Sequence, residues 1–116
     1  MSTYESRLQQ RKLQFIERAK QRLALTHTNL ELLSTQPQRS DLLPLIMKEF
    51  HQLAAAAGIY QLSELCSIAV NTEDMLIASQ KSGSPPDPQA IAAAQAAVKT
   101  MGDILSHLCG EKEEAR

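Results

Sequence analysis

Residues 3–33 contain neither Gly nor Pro, and Leu8, Phe15, Ile16, Ala19, Leu23, Leu30 and Leu33 recur along them at helical spacing. A stripe of that length without a breaker predicts one long amphipathic helix, with Thr26-His27-Thr28 the place where a bend is expected. Such a helix must bury its stripe against other elements, and composition indicates which. β-Branched residues are few, Gly numbers four, and Ala, Leu, Gln and Glu abound, so the partners are expected to be helices as well. At 116 residues and 43% hydrophobic, the chain is long enough for one core. With two Phe, two Tyr and no Trp, Leu, Ile and Ala must fill most of it.

Ser34 to Ser40, with Pro37, reads as a short turn-rich link. Asp41 is placed to cap a second helix and puts Pro44 in its first turn, where a missing N–H costs little. Leu43, Ile46, Phe50, Leu53, Ala54 and Ala57 form its buried stripe. Gly58 is the expected C-terminal stop, since glycine takes positive φ without strain. A tight corner, Gly58-Ile59-Tyr60-Gln61, then leads into a third helix marked by Leu62, Leu65, Ile68, Ala69, Thr72, Met75 and Leu76 and ending near Lys81. So short a corner makes helices two and three antiparallel neighbours.

Ser82 to Pro88 is the clearest loop, and its end supplies a start signal in Asp87 as N-cap and Pro88 as first helical residue. Ile91, Ala94, Val98, Met101, Leu105 and Leu108 alternate spacings of three and four down a fourth helix. Gly102 within it suggests close approach to a neighbouring backbone, and Gly110 is expected to end it. The expected architecture is an all-α, antiparallel up-down four-helix bundle over residues 1–110, followed by a charged tail over 111–116.

A formal net charge of −1 gives no general reason to expect nucleic acid or an anionic membrane as partner. Residues 1–36 do carry six Lys or Arg against three Glu, the pattern of a solvated helix face. Cys66 and Cys109 are too few for a disulfide framework and fall within helices, which points to a reducing, cytoplasmic setting. No run approaches the ~18 apolar residues of a membrane span. Nucleotide-binding Gly-rich loops and metal-ligand spacings such as CxxC or HExxH are absent from the sequence, and His107 and Cys109, two apart on a helix, face different directions. His27 reads as a surface residue. What is left is His51, about 100° round the helix from Phe50, on the flank of the buried stripe. The four alanines that follow at 54–57 leave a low, smooth helix surface suited to close approach by another protein.

Phe50-His51-Gln52-Leu53-Ala54-Ala55-Ala56-Ala57-Gly58, then Leu62-Ser63-Glu64-Leu65 and Ala69-Val70-Asn71-Thr72-Glu73, resembles the signature of histidine-containing phosphotransfer (HPt) domains. The resemblance covers about a third of the chain at motif level, and the family's helical bundle is consistent with the remainder. It implies that His51 is the phosphorylated residue and that Glu73 reaches across from the next helix to the imidazole. Met47, Lys48, Gln52, Ala54, Ala55 and Gly58 would form the docking surface. The implied partner is the receiver domain of a response regulator or hybrid histidine kinase, which itself brings the aspartate, the Mg²⁺ and a Lys, so this chain needs no cofactor or metal of its own. The implied role is that of a monomeric phosphoryl carrier rather than a free-standing enzyme. Positions 55 and 61 hold Ala and Gln where the family favours Gly. A helical adaptor that binds receiver or kinase domains without transfer, and a dimerisation module in which His51 is incidental, are the alternative functions.

Overall fold

The computed structural model describes residues 3–81 and 86–114, with side chains to residue 108 in the last helix. Four helices account for nearly all of it: α1 (Thr3–Thr35), α2 (Leu42–Ile59), α3 (Ser63–Lys81) and α4 (Pro88–Glu114). Among the described residues there is no strand. Each helix packs on two others, α1 on α2 and α4, and α3 on α2 and α4, with no diagonal packing. The all-α four-helix bundle expected from the stripes is therefore the fold. No helix among the described residues is long and apolar enough to cross a membrane. Residues 82–85 of the loop expected from Ser82 to Pro88, and the side chain of Cys109, lie outside the described residues.

The stripes meet where the periodicity put them except at Leu8, which is 45% exposed near the start of α1 and outside the core. Ile16, Leu23, Leu30 and Leu33 of α1, Ile46 and Phe50 of α2, Leu65 and Leu76 of α3, and Met101 and Leu105 of α4 are all buried in one cluster. Full burial of each large side chain stabilises the fold by roughly 1.5–3 kcal/mol, and truncation of Phe50, 1% exposed, to Ala would cost about 3–5 kcal/mol. Only Thr26 and Thr72 are buried polar residues among those described. Each hydroxyl donates to the carbonyl one turn back, Thr26 to Arg22 at 2.9 Å and Thr72 to Ile68 at 2.7 Å, so neither is left unsatisfied. α1 runs unbroken through Thr26-His27-Thr28.

Three helix-end expectations are corrected. Asp41 has helical φ and ψ and makes no side-chain cap bond; its carboxylate instead accepts from Arg39 Nε and Nη2 at 3.0 and 2.9 Å. The Arg39 hydrogen bonds hold the Asp41 carboxyl below the usual carboxylate range. Gly58 does not stop α2, which continues to Ile59. The left-handed residue is Gln61, with φ 59°. Its N–H donates to the Gly58 carbonyl (3.1 Å) and that of Leu62 to the Ala57 carbonyl (2.9 Å), the paired bonds of a Schellman cap with Gln61 at its left-handed position. Finally, α4 passes Gly110 and reaches Glu114. The cap on α4 does form as expected, the Gln89 N–H donating to Asp87 Oδ1 at 2.9 Å. Gly102, expected at a close backbone approach, faces open space, since a Cβ there would meet nothing within 4 Å.

Candidate functional site

α2 presents its apolar stripe inward and a narrow crest outward. Along that crest Leu45, Lys48, Gln52, Ala55 and Ile59 recur at spacings of three and four, and all are exposed. Leu45 and Ile59 were not singled out by sequence, because isolated apolar residues away from the main stripe carry no signal until the packing is known. His51 stands beside this crest on the flank toward α3, its side chain 71% exposed.

The imidazole Nδ1 lies 3.1 Å from Glu73 Oε2 and 3.3 Å from Oε1. Glu73 is held on α3 with its side chain only 19% exposed. A carboxylate only accepts, so the proton between them belongs to Nδ1. This tautomer leaves the Nε2 lone pair free, and no described residue hydrogen-bonds to it. The resulting geometry is an exposed ring anchored at one nitrogen by a shielded carboxylate, with the other nitrogen available as nucleophile or base.

Of the expected docking residues, Lys48, Gln52, Ala55 and Gly58 are exposed near His51 and Met47 is half-buried. Ala54 is different: it is 8% exposed and belongs to the core. It lies three positions from His51 yet only about 40° from Phe50 on the helical wheel, and the core claims it. Cys66 is a half-buried free thiol. Its sulfur would lie 4.0 Å from a Cβ on Gly58, which places it between α2 and α3 as packing. His27 sits on the surface, 3.5 Å from Glu31 one turn on. Among the described residues no three His, Cys, Asp or Glu side chains gather as a metal site.

A feature that sequence reasoning missed crosses from α1. Arg22 donates to both carboxylate oxygens of Glu49, each at 2.8 Å, and to Gln52 Oε1 at 2.6 Å. These two residues bracket His51 on the α1 side, so the fork ties that segment of α2 to α1 while the imidazole is tied to α3. The basic excess of the first helix was visible in the sequence. Its aim was not, because interhelical facing depends on crossing geometry and not on spacing within one helix.

Compared with known proteins, the chain matches no family model, no curated protein and no solved structure. Fold and site together define an all-α four-helix protein in which an exposed histidine of α2 is paired with a shielded glutamate of α3.

Proposed function

We propose that this protein is a cytoplasmic histidine phosphotransfer carrier that accepts a phosphoryl group on His51 from a receiver-domain aspartate and passes it to another. The observation that carries the reading is the exposed imidazole whose Nδ1 is engaged by Glu73 while Nε2 is free. In the acceptance step the Nε2 lone pair attacks the phosphorus of the partner's aspartyl phosphate, the N–P bond forms, the P–O bond breaks, and the aspartate leaves as carboxylate. Nδ1 keeps its proton, so the ring takes up positive charge, and the Glu73 carboxylate lies where that charge develops. No proton has to move, which suits a site with so few groups.

Phosphoryl transfer depends chiefly on alignment and charge neutralisation. The Mg²⁺ and the remaining charge would come with the receiver domain, whose approach the methyl-only surface at Ala55 permits. The test is incubation of the protein with a ³²P-labelled receiver domain. Acid-labile, alkali-stable label on His51, carried at Nε2 by ¹⁵N–³¹P coupling, is the expected result. Receiver binding without label would select a non-transferring adaptor, and self-association without receiver binding a dimerisation module.

A further inference from the structure

On the opposite flank of α2 from Glu73, where α2 meets α1, lies a half-open groove of about 460 Å³. Its floor is apolar, made by Phe15, Leu53, Ala56 and the core behind them. Phe15 and Tyr60 stack with ring centroids 5.3 Å apart and planes at 23°, forming an aromatic wall where α2 ends. Arg11, Arg18 and Arg22 line the α1 side. The one carboxylate on the lining, Glu49, is held by Arg22. Arg11 and Arg18 are exposed and take part in no hydrogen bond or ion pair among the described residues.

The groove therefore combines apolar walls with two uncompensated guanidinium groups. A guanidinium matches carboxylate and phosphate oxygens two at a time. The volume falls within the roughly 300–1,000 Å³ typical of small-molecule sites. We propose that the α1/α2 groove binds a small single-chain anionic amphiphile, its carboxylate or phosphate head on Arg11 or Arg18 and its apolar body along Phe15, Leu53 and Ala56. Such a ligand would lie against Gln52, the residue after His51, but the site requires nothing of phosphotransfer and stands or falls separately.

The experiment is a titration of the ¹⁵N-labelled full chain with dodecanoate, and separately with dodecyl phosphate, each kept below its micelle-forming concentration. Saturable amide shifts confined to residues 11–26 and 49–60 are expected with one or both. The double variant Arg11→Gln/Arg18→Gln should bind about tenfold more weakly, and Ala56→Leu, which fills the groove from α2, should also weaken binding. Lys99→Gln, an exposed cation on α4, should bind as the parent does. Equal binding of dodecyltrimethylammonium would overturn the proposal, as would shifts spread over all four helices or an equal loss in Lys99→Gln. So would attachment only to anionic lipid vesicles, or binding of an acidic peptide at the groove where neither amphiphile binds.

Discussion

Replacing Glu73 by Gln isolates the charge of the His51 partner from its shape. The amide keeps an acceptor oxygen near Nδ1, now 3.1 Å from the carboxylate, so the tautomer and ring orientation persist. What disappears is the negative charge facing a ring that becomes positive as the N–P bond forms. Two unit charges about 4 Å apart interact by about 1 kcal/mol in bulk water and about 4 kcal/mol at the effective dielectric near a protein surface. Glu73 is shielded, but the imidazole is 71% exposed, and solvent around the ring pulls the value toward the lower figure, about 1 kcal/mol. Glu73→Gln is therefore expected to slow transfer about fivefold. Glu73→Ala loses the orienting hydrogen bond too, and should be slower again by about twofold. Single-turnover rapid quench with a labelled receiver domain measures the rate at saturating partner, and separate binding measurements keep affinity out of it. Wild-type rates in both variants, or a loss confined to affinity, would refute the assignment of Glu73 to the reacting imidazole.

The remaining expectations follow from single positions. His51→Gln should abolish phosphate acceptance while shifting stability by no more than about 0.5 kcal/mol, as for an exposed side chain outside the core; parental acceptance of label by the variant rules out the proposed carrier. Ala55→Arg should block receiver binding by bulk, whereas Ala55→Gly should keep or raise the transfer rate despite a cost of up to about 1 kcal/mol in helix propensity; kinetics indifferent to both would put the partner surface elsewhere. Gln61→Gly should raise stability by about 0.5–1 kcal/mol, because the left-handed conformation costs a non-glycine residue about 1–2 kcal/mol and glycine's extra chain entropy returns part of that; urea unfolding reads it. In the same assay Gly102→Ala should stabilise by up to about 1 kcal/mol, since the space beside it is open, and a loss would mean that α4 is packed more closely there.

Much of the fold was legible because burial in a bundle is written in period 3.6, and four such stripes separated by turn signals leave little else to fold into. Most of the errors fell at glycines and caps. Gly58 looked like the end of α2 because glycine tolerates positive φ, but tolerance is not compulsion: the chain turns at Gln61, a residue that propensity would not choose. Gly102 looked like a contact for the same kind of reason, and it is simply a weak helix position. At the site, the His51–Glu73 pairing was anticipated from the resemblance together with the shortness of the corner. The burial of Ala54 was not carried into the site, although its place in the α2 stripe already pointed inward. The Arg22 fork and the α1/α2 groove depend on how two helices cross, and no pattern within either helix encodes that.

The corner that sequence misjudged is also what sets the register of the site. His51 lies eight residues before the end of α2 at Ile59, and Glu73 ten residues after the start of α3 at Ser63. At 1.5 Å per residue these are about 12 and 15 Å from the turn, a mismatch that the length of a glutamate side chain absorbs. The match depends on the Schellman bonds at Gln61 and Leu62, which bring the chain from one helix into the next within three residues. One residue more within α3, between Ser63 and Glu73, would rotate Glu73 by about 100° about the helix axis and shift it by about 1.5 Å, taking it from opposite the imidazole. The strain accepted at Gln61 thus belongs to the same arrangement as the histidine-glutamate pair. Because Gln61→Gly keeps every bond of the cap while relieving that strain, it should stabilise the bundle without moving the pair.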